Sequence, residues 1–415
     1  MNFFDTPLRR RILFGCLYLS EGAPIGFIWL ALPTRLRASG VPVERITWLA
    51  AILVLPWTMK FAWAPVIDLL RTRWWTLRHW IVAAQIGMGS TLTPLIWLEP
   101  ERHFSMLAWL LLAHAVCAAT QDVAIDALCI SATRPDERGQ YNGWMQAGML
   151  LGRATMGGGA LVMAAHVGDT TVVIMLIVIT TFSMALVILS RPPDQHVSEN
   201  GAAGASRRFR STLRAAILDR NTWVGLGFAA VGGAAFKSLE VIYGPYLVDR
   251  GFQKETIGWF SVGPMIGAMI VGSVIGGWLT DRVGRRRCVA GSLAMIVFAV
   301  VSLAISDQVT EGPARTVLLY WLAATAFGIG TFTASSYALF MNISRPAIAA
   351  TQFSAFMGAT NGCESWSSFA AGRIISAFGY PAAMLAMSAV SLVSLPLLVL
   401  LNAPSDAEPD DRSIE

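Results

Sequence analysis

The chain has little charge. Of its 415 residues, 14% are Asp, Glu, Lys or Arg, against about 25% in soluble domains. So few charges cannot solvate the two or three water-soluble domains that this length would otherwise suggest. Cysteine is sparse too. Cys16, Cys117, Cys129, Cys288 and Cys363 are scattered with no C-x-x-C pair, which argues against a disulfide framework and a zinc site. The chain also lacks H-E-x-x-H, G-x-S-x-G and a G-x-x-x-x-G-K-[ST] loop. Hydrolase and ATP-motor chemistry are therefore not written in it, and neither enzymatic activity nor a cofactor is expected. The net charge of +5 comes from basic residues in short loops and points to no nucleic acid.

Apolar sequence is what the chain has in quantity. Hydrophobic residues make up 55%, and segments of roughly 17–25 residues, long enough to cross a bilayer, recur twelve times. The first is near Ile12–Leu36 and the last near Pro381–Leu401. The expected fold class is all-α and polytopic, embedded in lipid. Arg9–Arg11 before an apolar run imitate a signal peptide, but Glu21 interrupts that run and no small-x-small cleavage site follows, so a retained first helix is expected. The connector 191–221, rich in Gly, Ala, Ser and Arg, divides the segments six and six. The expected organisation is a first bundle over 1–190, a linker over 191–221, a second bundle over 222–402 and a disordered acidic tail over 403–415. Lys and Arg accumulate in the loops on the side of the N-terminus, which predicts that both termini are cytoplasmic.

The halves are related. Gly40, Glu44, Ile46 and Trp48 recur as Gly251, Glu255, Ile257 and Trp259, and Arg134-Pro135 as Arg345-Pro346, all 211 positions later. A parallel repeat of two six-helix halves is a transporter architecture.

Charges inside spans are costly and usually have a partner or a task. Here they are Glu21 in the first span, Lys60 and Asp68 in the second, Asp122 and Asp126 in the fourth, Arg153 in the fifth, Lys237 and Glu240 in the seventh, and Glu364 and Arg373 in the eleventh. His114 is neutral and alone in the fourth. Asp122 and Asp126 share one helical face. Lys237 and Glu240 are three residues apart, so an intrahelical pair is the favoured reading. Glu21 is the first choice for exchanging a proton, the alternative being a static pair with Arg153 or Lys60. Arg153 suits a carboxylate or phenolate on a solute, or a structural salt bridge. No cluster of His, Cys, Asp and Glu has metal-ligand spacing.

G-W-L-T-D-R-V-G-R-R-R, from Gly277 to Arg287, resembles the loop signature of the major facilitator superfamily. L-Y-L-S-E-G-A-P-I-G (Leu17–Gly26), M-K-F-A-W-A-P-V-I-D (Met59–Asp68) and Q-D-V-A-I-D-A (Gln121–Ala127) resemble the AmpG-type permeases within it. The resemblance implies a twelve-helix major facilitator fold in a bacterial inner membrane. It also implies alternating access, with the first, fourth, seventh and tenth helices around a cavity and the second, fifth, eighth and eleventh at the seam between halves. Glu21, Arg153, His114, Lys237, Glu240 and Glu364 become candidates for solute binding or proton coupling. Lys60, Asp68, Asp122, Asp126, Gly277, Asp281, Arg282, Gly284 and Arg285 become candidates for gating, the glycines by allowing a tight turn and close helix approach. The partners are a small molecule, protons and lipid, and a monomer is expected. Two solute classes compete. The short C-terminus and the E-G-A-P-I-G form of the first helix favour siderophore permeases of the RhtX/FptX type, with a pyochelin-like solute. The alternative is import of anhydromuropeptides for wall recycling.

Overall fold

The structure, a computed structural model, describes residues 2–69, 74–133, 138–190, 214, 217–309, 315–344 and 349–401. Most of the expected linker, residues 191–213 and 215–216, and the tail 403–415 lie outside them, as do the side chains of Asp68 and Asp281.

Among the described residues the helices join into twelve rods. They are α1 (Pro7–Ala38), α2 (Val43–Leu69), α3 (Leu77–Leu92, prolonged by a 3₁₀ turn over Thr93–Ile96), α4 (Phe104–Ala132), α5 (Arg138–Met156, resumed at Gly158–Val167) and α6 (Asp169–Leu189). The second half holds α7 (Arg220–Asp249), α8 (Lys254–Phe260, through Ser261–Met265 into Ile266–Val283), α9 (Arg285–Val309), α10 (Thr316–Ile343), α11 (Ala349–Phe378) and α12 (Tyr380–Val393, extended by Leu395–Leu400). Among the described residues, eight rods are long and apolar enough to cross a membrane on length and composition alone: α1, α4, α6, α7, α8, α9, α10 and α12. The rods start and end at two faces, here called the terminal face, where α1 begins, and the far face.

Sequence dictates where rods bend and where they touch. Pro24 removes a backbone donor inside α1, and three residues later Phe27–Ala31 widens into a π-turn. Pro264 lies inside the second π-turn, Ser261–Met265 of α8. Glycine sets the closest contacts. A methyl group on Gly152 of α5 would lie 2.5 Å from the Leu19 carbonyl of α1, and one on Gly276 of α8 would lie 2.6 Å from Thr331 Cα of α10. Backbones approach this closely only where both surfaces are small. Gly277 of the loop signature has open space instead, so the close approach expected there belongs to its neighbour Gly276.

The 211-residue repeat is present in the backbone. Gly40 and Gly251, 211 apart, turn the chain at φ 87° and 85°, and Gly168 and Gly379 do so at 80° and 84°. Side chains with a Cβ avoid this region. Contacts repeat as well. Arg35 pairs with Asp169 at 2.9 Å, and 211 positions on, the rings of Tyr246 and Tyr380 meet edge to face at 5.2 Å.

The two halves touch along α2–α11 and α5–α8, as the seam assignment requires. Near the far face Arg37 binds Asp249 at 2.6 Å and Arg373 binds Glu44 at 2.9 Å. A methyl group on Gly258 of α8 would lie 2.6 Å from the Gly158 carbonyl of α5.

Candidate functional site

Among the described residues, the charged candidates within the spans gather in two groups, one in each half. In the first half, α1 supplies Tyr18 and Glu21, α2 supplies Lys60, and α4 supplies Asp122 and Asp126. The two aspartates follow one another by a turn of α4, which presents both to α1. Lys60 Nζ is 2.6 Å from Asp122 Oδ2, and the Tyr18 hydroxyl is 2.7 Å from Asp126 Oδ1 and 3.2 Å from Asp122 Oδ1. A phenol has one proton to donate, so at most one of these contacts is a donation from Tyr18. Glu21 is 1% exposed, and its Oε2 meets no hydrogen-bond donor among the described residues. The alternative reading, a static ion pair of Glu21 with Lys60 or Arg153, is not formed among the described residues; Lys60 is taken by Asp122. Three buried or half-buried carboxylates thus surround one ammonium, and the group is electrically neutral only with two protons bound.

In the second half Lys237 of α7 binds Glu364 of α11 at 2.7 Å and lies 3.7 Å from Glu240 on its own helix. The favoured intrahelical pair is therefore the weaker partnership. Two residues three apart on a helix point outward side by side, whereas Glu364 comes in from the facing rod with its carboxylate aimed at the ammonium. The other oxygen of Glu364 accepts from the indole Nε1 of Trp29 on α1, so Glu364 joins the two halves. Trp29 in turn meets Trp57 of α2 edge to face at 6.0 Å, and the Trp57 indole lies beside the Glu21 carboxylate. A continuous line of side chains, Glu21–Trp57–Trp29–Glu364–Lys237, therefore connects the two charge groups across the seam. Arg153 and Glu364, 211 apart, do not pair with each other. Among the described residues Arg153 has no ion pair.

The structure removes His114 from this centre. The imidazole is fully buried between α4 and α3, its Nδ1 3.3 Å from the Met88 carbonyl and 3.4 Å from the Thr91 hydroxyl. Of the gating candidates, Gly284 caps α8 at φ 94° and starts the turn into α9, which Arg285 opens. Arg282 lies over the Trp278 ring at 4.3 Å. Sequence reasoning missed Tyr18 as a member of the first group, although its place one turn before Glu21 puts it on the same face. It also missed the Trp29 bond to Glu364, for which the sequence carries no signal.

The sequence profile described as Major Facilitator Superfamily matches residues 14–359 and 233–415. The chain belongs to the Major Facilitator Superfamily. Among solved members of this fold, a bacterial homolog of the human lysosomal transporter Spinster, in an inward-facing and unoccupied conformation, superposes with a TM-score of 0.73 at 12% identity, over 94% of this chain and 96% of that one. A D-xylose–proton symporter gives 0.72 at 11% identity, over 94% and 95%. By sequence the chain is 21% identical to "Putative transporter AmpG 4" of Rickettsia conorii over 412 residues, 93% of this chain and 95% of that one. It is 22% identical to the "Anhydromuropeptide permease" of Escherichia coli K12 over 415 residues, 96% and 81%. This facilitator is thus a multi-pass membrane transporter of AmpG-like sequence. The expected closeness to siderophore permeases is not what these relatives' names suggest.

Proposed function

We propose that this facilitator is a secondary transporter that imports an anhydromuropeptide, an amino-sugar–peptide solute, into the cytoplasm in exchange for proton-motive force. The carrying observation is the first charge group: three carboxylates and one ammonium in the interior, with Glu21 buried and Oε2 without a donor. Such a group reaches neutrality by taking up protons, which is what a proton-coupled carrier needs at its centre. The solute class rests on the names of the AmpG relatives, which favour muropeptide over siderophore. Orientation rests on the basic loops, which make the terminal face cytoplasmic. In that orientation the far-face contacts lie on the periplasmic side. Glu21, Asp122 and Asp126 handle the protons, Lys60 holds the aspartates in register, and Lys237, Glu240, Glu364 and Arg153 meet the solute.

The test is uptake into proteoliposomes containing the purified chain, with and without an imposed proton gradient. Radiolabelled anhydromuropeptide and iron–pyochelin serve as parallel solutes. Gradient-driven muropeptide uptake that Glu21→Gln abolishes, with solute counterflow retained, is expected. Iron uptake without muropeptide uptake would reverse the choice of solute.

A further inference from the structure

Hydrogen bonds in the first charge group can be counted proton by proton. The Tyr18 hydroxyl lies 2.7 Å from Asp126 Oδ1 and 3.2 Å from Asp122 Oδ1. Two hydrogen bonds among three oxygens need two protons, and the phenol supplies one. The second sits on a carboxyl group. Asp122 is not its owner, because Asp122 Oδ2 accepts from the Lys60 ammonium at 2.6 Å, a charge-assisted bond that an ionised carboxylate makes best. Asp126 forms no ion pair among the described residues, so the proton falls to it. Asp126 then donates to Tyr18, and Tyr18 donates to Asp122. Among the described residues neither Glu21 nor Lys60 bonds the Tyr18 hydroxyl.

The three groups also stand in order along the rods. Arg10, at the start of α1, donates to the carbonyl of Ala132, at the end of α4, over 2.9 Å, so α4 ends at the terminal face. Asp126 is about one turn nearer that end than Asp122. It is half-buried, whereas Asp122 and Tyr18 are each 7% exposed. Tyr18 therefore touches one acid toward the terminal face and one acid in the interior.

We propose that Tyr18 is a proton relay between Asp122 and Asp126, and that it joins the interior of the carrier to water at the terminal face. This role rests on the reading of the group as the proton-handling centre and adds its exit path. In the step toward the terminal face, a protonated Asp122 gives its proton to the Tyr18 oxygen. The phenolic O–H bond breaks in concert, and that proton passes to the Asp126 carboxylate. One proton is moved across two hydrogen bonds, and Tyr18 is neutral before and after. The arrangement seen is the end of this step, with Asp122 ionised and paired to Lys60. Before the step Asp122 is neutral, so the relay also decides when the Lys60 ammonium is released.

The experiment compares wild type with Tyr18→Phe, which keeps the ring and removes the relay oxygen, in proteoliposomes given anhydromuropeptide. Gradient-driven uptake should fall about a hundredfold, the low end for a positioned proton-transfer group. Counterflow moves no net proton and should fall far less. Equal losses in the two assays, or no loss of driven uptake, would overturn the relay. Infrared spectroscopy of the purified protein at neutral pH tests the proton count without any solute. Wild type should show a protonated-carboxyl C=O band that Asp126→Asn removes and that Tyr18→Phe shifts, because the acceptor of its hydrogen bond is gone. A band that neither variant changes would overturn the relay whatever the solute. If wild type carries no muropeptide, that reading fails by itself, and the infrared band alone judges the relay.

Discussion

Lys60→Met tests the first charge group most directly. Methionine keeps the length of the side chain and removes its charge. Asp122, 10% exposed at its side chain, then loses a partner at 2.6 Å. Removing one member of a buried ion pair costs about 3–5 kcal/mol, and the lower end applies here because the Lys60 side chain is 25% exposed. The second change, Asp122→Asn, removes the stranded charge. The double variant should therefore recover most of that loss, giving a coupling of about 2 kcal/mol. Thermal unfolding of the purified protein in detergent, followed by tryptophan fluorescence, reads both. A double variant no more stable than Lys60→Met would refute the idea that Lys60 serves to balance Asp122.

Gly258→Leu should stop the α8–α5 contact from forming, because its side chain would fall on the Gly158 carbonyl. Uptake should drop at least tenfold while thiol probes on the far face gain access; unchanged access would dismiss that contact as a gate. Trp29→Phe keeps the ring and removes the donor to Glu364, a hydrogen bond to a charged group worth about 1.5–3 kcal/mol. The loss should appear as a weaker closed far face; a Phe variant with wild-type access kinetics would speak against the link across the halves. Arg37→Ala removes a half-buried pair with Asp249 and should shift the open–closed balance by about 1 kcal/mol, roughly fivefold. Its check is the fraction of far-face thiol labelling, and no shift would make the pair ornamental.

The sequence made the span pattern, the repeat and the charged positions visible, because each costs free energy in lipid and so stands out against an apolar background. Partner choice was harder to read. Lys237 had one carboxylate three residues away in sequence and another 127 residues away, and the distant one binds more closely because it approaches from a facing rod. His114 looked like a site residue because it is polar on a cavity-lining helix. A helix has several faces, and the side of α4 that bears it is turned to α3. Gly277 and Gly276 are adjacent, and only the direction of the Cβ distinguishes the one in contact from the one in the open. Solute identity left the weakest trace, since siderophores and muropeptides both present anions and rings to the same kinds of side chain.

The π-turn at Phe27–Ala31 gives α1 one residue more per turn than a regular helix allows. Were that turn to relax into α-helix, everything beyond it would swivel by about 100° around the rod axis while the stretch below stood still. Trp29 lies within the turn and Arg37 beyond it, so a single swivel would carry the indole off Glu364 and the guanidinium off Asp249. Tyr18 and Glu21, below the turn, would keep their places. The first helix is in this sense a clutch, able to disengage the far-face closure without disturbing the acids beneath it.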